Sequence, residues 1–273
     1  MTFWEHLAEL RTRIVRSLMI IVGAFSFTYG FPFGLQDYAG LTILGFHPLA
    51  ALKGMPAFRF QLWTMAKRPF LEAMAHETGI PVGNLHPFAF TSLTEPFISM
   101  MRLALWAAAF LAAPFLFYQL WAFIRPGLLK KERRMVVPFV VTTSACFIAG
   151  AAFAYFNAIG FLAKILFQEA VAAGLRTNLH ASDYLDLFIY TTLITGVMFE
   201  LPVLFYFLAR FRLVTAKWML KYWRHATLII VIFSAFFTPG DVILTAIFFS
   251  VLLLGLYFVS VLVVWFAEPR SRP

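Results

Sequence analysis

The chain has 273 residues, of which 62% are hydrophobic and only 13% charged, and its mean hydropathy is +0.82. A soluble domain carries about 25% charged residues, so a single water-soluble core is excluded and the chain reads as an all-α, polytopic membrane protein. The net charge of +9 does not point to nucleic acid, because the basic residues sit in short clusters at the ends of apolar runs, where they fix orientation and contact anionic membrane lipids.

Thr2 and Glu5 have capping-box spacing, so a helix is expected to start at once. Over residues 1–13, Phe3, Leu7, Leu10 and Ile14 fall on one face and Glu5, Glu9, Thr12 and Arg16 on another, as in an amphipathic helix lying along the cytoplasmic interface. Glu9 is placed to pair with Arg13 one turn later. Glu5, Glu9, a long apolar stretch and the absence of a small-residue cleavage site argue against a cleavable signal peptide.

Residues 14–33 form the first expected span. Residues 34–101 break the pattern with recurring Pro and Gly and scattered charges, and read as a far-side loop with short helices around Phe58–Met65 and Pro69–Glu77. Thr94-Glu95-Pro96 reads as a helix start with Thr94 as cap. The second span is 103–124, with a kink expected at Pro114, and the third is 135–156. Between them lies a basic loop, Arg125 to Arg134, containing the single acid Glu132. A second far-side loop is assigned to 157–183 and a fourth span to 187–209, which carries Glu200 and Pro202. Residues 226–237 are too few to cross comfortably, about 18 Å of helix against about 30 Å of hydrocarbon, and 242–267 are apolar throughout.

Charge decides between five and six crossings. Placing the N-terminus, the Glu132 loop, residues 210–224 and the tail on one side gathers 15 of the 22 basic residues in the cytoplasm. That requires an even number of spans: six transmembrane helices, N-in and C-in, the last two short.

The sequence has no phosphate-binding loop, dinucleotide turn, zinc-protease motif or nucleophile elbow. No enzyme activity, metal site or cofactor is therefore expected, and the lone Cys146 reads as a buried structural thiol. Glu200 is the one acid well inside a span, so it is protonated, paired, or turned toward a polar partner. Glu132 is by local rules a surface salt bridge, or else a carboxylate that takes an external guanidinium. Asp241, in the turn Thr238-Pro-Gly-Asp241, is a turn or cap residue or a functional acid.

Five motifs then occur together and in order. His6-Leu-Ala-Glu9-Leu-Arg11-Thr-Arg13, the stretch 118–134, Phe-Ala-Tyr-Phe at 153–156, Phe199-Glu200-Leu201-Pro202 and Thr238-Pro239-Gly240-Asp241 resemble motifs of the TatC family, the multispanning receptor of the twin-arginine protein translocase. The resemblance covers essentially the whole chain. It implies a cup-shaped six-helix protein of the prokaryotic inner membrane that binds the paired-arginine signal peptides of folded cargo. It also implies assembly with single-span TatA/TatB-type subunits and with copies of itself into a proton-motive-force-driven translocon. Carried over, signal binding falls on Glu9, Arg11, Phe123, Pro126, Lys130 and Glu132, while Glu200 matches the family's intramembrane acid and Asp241 its far-side turn acid.

The chain departs from the family in three places. Its first far-side loop is longer, leaving Lys53 to Met65 without a role. The usual Pro-Pro-Asp turn is Pro239-Gly240-Asp241, with Thr245 where Gln is common, and a Pro and a Glu of the last helix are Val251 and Tyr257. The alternative reading is a proton-coupled secondary transporter using Glu200, which expects an internal hydropathy repeat; none is clear.

Overall fold

The structure, a computed structural model, describes residues 3–30, 58–85, 88–125, 136–174, 179–237 and 243–268. The helices are α1 (Phe3–Gly30), α2 (Phe58–Thr78), α3 (Glu95–Ile124), α4 (Val136–Phe153), α5 (Ile159–Ala172), α6 (Ala181–Met198), α7 (Leu201–Arg210), α8 (Ala216–Lys221), α9 (Trp223–Phe237) and α10 (Ile243–Ala267). Two short strands, β1 (Phe88–Ala89) and β2 (Leu179–His180), pair in parallel. Among the described residues, four helical stretches are long and apolar enough to cross a membrane, at Glu95–Ile124, Val137–Ala172, Ala181–Arg210 and Ile243–Ala267. The chain divides into two compact units.

The first unit gathers Met1–Leu71, Leu85–Ser144 and Asn178–Asp186. Its backbone is the antiparallel pair α1 and α3. Contacts run from His6 against Phe123, through Arg13 with Gln119, to the Thr28 hydroxyl donating to the Ala104 carbonyl at 2.7 Å. Ala104, Ala108 and Ala112 recur every fourth residue and are buried, so at this stripe neighbouring backbone can come close. The sequence reading put the apolar side of residues 1–13 against an interface and let the chain turn afterwards. Instead α1 is one continuous helix. Leu7 and Ile14 are exposed, while Glu9 and Arg13 are partly covered and face α3. In lipid this is the favourable sense, since apolar side chains lose nothing by facing acyl chains and polar ones need partners.

At the other end of α3, the Glu95 carboxylate accepts from the Thr91 amide at 2.8 Å and hydroxyl at 3.1 Å, and from the Ser182 hydroxyl at 2.9 Å and amide at 3.3 Å. Thr94 makes no side-chain cap, contrary to expectation, and the Glu95 carboxylate is taken up by Thr91 and Ser182. The β1–β2 pairing lies beside this staple, matching Phe88 with Leu179 and Ala89 with His180. Trp63, Phe70, Phe88 and Tyr184 pack with ring centroids 5.1 to 6.5 Å apart, and the Tyr184 hydroxyl donates to the Ala66 carbonyl. Pro69 does not divide α2 into the two short helices expected; the helix is continuous from Phe58 to Thr78.

The second unit gathers Glu72–Asn84, Ala145–Thr177 and Leu187–Pro273. The helix expected to end near Phe156 runs on instead. A π turn at Ala154–Ala158 joins α4 to α5, and helix persists to Ala172 through most of what the sequence reading assigned to a loop. Asn157 donates its side-chain amide to the Phe153 carbonyl, satisfying an acceptor at the π turn. From α5, Lys164 reaches Glu77 at 2.7 Å and Gln168 reaches it at 3.2 Å. The Lys164 hydrogen bond, with help from Gln168, holds the Glu77 carboxyl below its ordinary range.

Around α10, the buried residues Phe249, Leu253, Tyr257, Val261 and Val264 form a single stripe that packs with residues of α7, α8 and α9. Tyr257, where the family commonly has a Glu, donates its hydroxyl to the Met219 carbonyl at 2.8 Å. Glu268, just past α10, accepts from the Ala216 amide at the start of α8, so the two ends of this cluster are tied. Val251 is exposed. The helix α9 is three residues longer at its start than expected, yet its 15 residues span only about 22 Å.

Two glycines set the approach of α4 to α6 within this unit. A Cβ on Gly150 would lie 2.7 Å from the Thr195 carbonyl oxygen and 2.9 Å from the Gly196 Cα, and one on Gly196 would lie 2.8 Å from the Phe147 ring. Gly150→Ala should therefore destabilise by about 1–3 kcal/mol through overpacking, despite alanine's helix-propensity advantage of about 1 kcal/mol. Thermal unfolding of the purified protein in detergent measures this; a variant as stable as the parent would contradict the packing described.

Candidate functional site

The N-terminal turns of α1 and the C-terminal turns of α3 bring one polar cluster together in the first unit. Helical spacing puts His6, Glu9 and Arg13 on adjacent turns of one side of α1, and Gln119 and Phe123 on adjacent turns of α3. Arg13 is the hub. One guanidinium nitrogen donates to Gln119 Oε1 at 3.0 Å and the other to Glu9 Oε1 at 3.2 Å. The second carboxylate oxygen of Glu9, Oε2, is buried and has no hydrogen-bond partner among the described residues. Beside it, His6 stacks on Phe123 with centroids 4.4 Å apart and planes inclined by 21°. The cluster thus presents a fixed carboxylate with one acceptor oxygen unfilled, next to an aromatic wall.

Of the sequence-selected residues, Glu9 and Phe123 meet here and Arg11 projects exposed from the opposite side of α1. Pro126, Lys130 and Glu132 lie outside the described residues, as does Asp241. The pairing of Glu9 with Arg13 is as the i,i+4 spacing suggested. Gln119 was missed, because a lone amide in an apolar span carries no local signal. Only the antiparallel register with α1 reveals its partner.

Glu200 belongs to the second unit. Its backbone marks the break between α6 and α7, where the expected single span is interrupted. Pro202, near the start of α7, has no amide to donate to the Met198 carbonyl, and the helical pattern resumes with the Leu204 amide donating to the Glu200 carbonyl at 2.8 Å. Glu200 Oε1 is buried without a hydrogen-bond partner, as are the hydroxyls of Thr191 and Thr195 on the preceding turns. Cys146 is half-buried rather than fully buried.

The geometry can be set beside known proteins. Residues 5–251 match the family model described as Sec-independent protein translocase protein (TatC). A TatC of Koribacter versatilis is 31% identical over 277 aligned residues, covering all of this chain and 88% of the relative. A TatC of Helicobacter pylori strain J99 is 39% identical over 174 residues, covering 63% of this chain and 68% of the relative. A crystal structure of the twin-arginine translocase receptor TatC has the same fold, with a TM-score of 0.68 at 23% identity, covering 96% of this chain and 99% of that one. With this fold and several long apolar helices, the protein is a multi-pass helical membrane protein. A match that runs through nearly the whole chain, and so through the Glu9–Phe123 cluster as well as Glu200, makes the chain a member of the TatC family of Sec-independent protein translocase components.

Proposed function

We infer that this chain is the signal-receiving core of a twin-arginine translocase: it binds the paired arginines of a signal peptide on folded cargo at the cytoplasmic face and nucleates a proton-motive-force-driven translocon. It does so as a six-span protein of the inner membrane with both termini in the cytoplasm, together with TatA/TatB-type subunits and further copies of itself. Glu9, Arg11, Phe123, Pro126, Lys130 and Glu132 contact the signal peptide. Glu200 meets a partner helix within the membrane, and Asp241 serves the far-side turn.

The observation that supports this reading best is the unfilled Oε2 of Glu9. A buried carboxylate oxygen without a donor is costly, and a guanidinium relieves that cost with a charge-assisted hydrogen bond. Arg13 already holds the other oxygen, so the carboxylate is oriented before the peptide arrives. Phe123, backed by His6, offers a face on which the same guanidinium or a neighbouring apolar side chain can lie. Glu132 is the second carboxylate of this arrangement, so each arginine of the pair has its own acceptor. A transporter cycle through Glu200 gains nothing from this cluster and is not favoured by the family.

Loss of one charge-assisted hydrogen bond costs about 1.5–3 kcal/mol, or roughly 10- to 150-fold in affinity. Photo-crosslinking of a twin-arginine signal peptide to membranes carrying Glu9→Ala or Glu132→Ala should therefore fall by at least about tenfold at limiting peptide, while the protein still inserts. Undiminished crosslinking in the double variant would contradict the assignment. Phe123→Ala should weaken crosslinking less than either carboxylate change, because it removes contact area and leaves both acceptors in place.

A further inference from the structure

The extra length of the first far-side loop, which no role claimed at the sequence level, leads into a cavity. In the first unit, at the end of α3 remote from the Glu9 cluster, a cavity of about 300 Å³ is walled by Trp63, Leu71, Phe88 and Phe90, with Lys67, Ser99 and Met100 also lining it. No acidic side chain lines it. Lys67 is half-buried and, among the described residues, has neither an ion pair nor a hydrogen bond. The neighbouring cations are accounted for: Arg102 pairs with Asp186 and Arg59 donates to the Tyr29 carbonyl. Among the described residues no carboxylate faces this half-buried ammonium across the recess, an arrangement suited to an anion.

The rim says which anion. Phe90, which lines the cavity, and Leu93, Phe97 and Met101, close to it in sequence, are exposed, Leu93 at 94%. They lead directly onto α3, one of the helices long and apolar enough to cross a bilayer. A free metabolite in water would find no match for such a rim, whereas acyl chains would cover it. The volume suits a headgroup and excludes a whole lipid, so the chains must lie outside along the exposed rim. Trp63, in the wall of the cavity, is of the residue type enriched at membrane interfaces.

We propose that this cavity is a binding site for the phosphate headgroup of an anionic phospholipid, with Lys67 as counter-ion, Ser99 as a hydroxyl donor and Phe90, Leu93 and Phe97 seating the acyl chains. The site fixes one lipid at the junction of α2, the β1–β2 ribbon and the start of α3. It gives the lengthened loop the task of carrying Trp63 and Lys67 to the membrane surface.

The test is native mass spectrometry of the full-length protein titrated with phosphatidylglycerol, phosphatidylcholine or inorganic phosphate. The parent should retain one phosphatidylglycerol in preference to phosphatidylcholine. Lys67→Gln should lose about fivefold to tenfold in that retention, Lys67→Arg should keep most of it, and Lys217→Gln on α8 should leave it unchanged. Equal retention of the two lipids by the parent, no loss on Lys67→Gln, or an equal loss on Lys217→Gln would overturn the proposal. So would displacement of the bound lipid by inorganic phosphate at comparable concentration, which would mark a site for a free anion. Because Lys67→Gln could unsettle α2, its thermal midpoint is measured alongside. Lipid loss in a variant that melts with the parent supports the proposal, and an equal lipid loss in Phe88→Leu, which disturbs the wall and keeps the charge, would overturn the role of Lys67.

Discussion

The constraint on which the rest depends is that a polar group within the hydrocarbon must find its partner inside the protein. It explains why the covered side of α1 is the one with Glu9 and Arg13, while Leu7, Ile14 and Leu18 face outward. It also explains why buried hydroxyls so often bond back along their own helix, as Ser144 does to the Val140 carbonyl and Ser260 to the Leu256 carbonyl. Helices also close up on small residues, as at the Gly150 contact with the Thr195 carbonyl and along the buried alanines of α3.

Groups that escape this rule carry the most information. Glu9 keeps one oxygen unfilled beside a resident arginine, and that geometry suits a receptor that needs a second guanidinium only when cargo arrives. Glu200 Oε1 and the hydroxyls of the two threonines on the preceding turns are likewise buried with no hydrogen-bond partner among the described residues. The turn at Glu200, where Pro202 withholds an amide, lies where a partner helix is proposed to dock. Tyr257 makes the opposite choice. By donating to the Met219 carbonyl it spends its polar group internally, so the last helix of this chain lacks the free acid common at that position in the family.

Much of this was legible in the sequence, and what was not has physical causes. Apolar run length marked the end of α3 and the starts of α4 and α10 within a few residues, because hydrocarbon thickness imposes that length directly, while the start of α3 was marked by Thr94-Glu95-Pro96. The continuation of α4 through the π turn into α5 was not legible: Asn157 reads as a loop residue until its amide is seen on the Phe153 carbonyl. Pro69 read as a divider, yet α2 passes through it, held on both sides by Tyr184 on Ala66 and by Phe70 packing on Phe88. The side of α1 that α3 covers, with Glu9, Leu10 and Arg13 partly buried, runs between the apolar and polar faces read over these first turns, so Leu7 and Ile14 are exposed and so are Glu5 and Thr12. Glu9 and Phe123 were named from motifs, whereas Gln119 and the stacking of His6 required the register of α1 on α3.

The central claim is that Glu9 accepts a guanidinium as such, and not merely a positive charge. Equilibrium binding of a signal peptide with paired arginines, compared with the same peptide carrying paired lysines, measures this directly on the purified protein. The account predicts at least about tenfold tighter binding of the arginine peptide, since only the planar fork can use the geometry of a carboxylate fully. It also predicts that Glu9→Gln removes most of that preference. Equal affinity for the two peptides, or a preference untouched by Glu9→Gln, would contradict it.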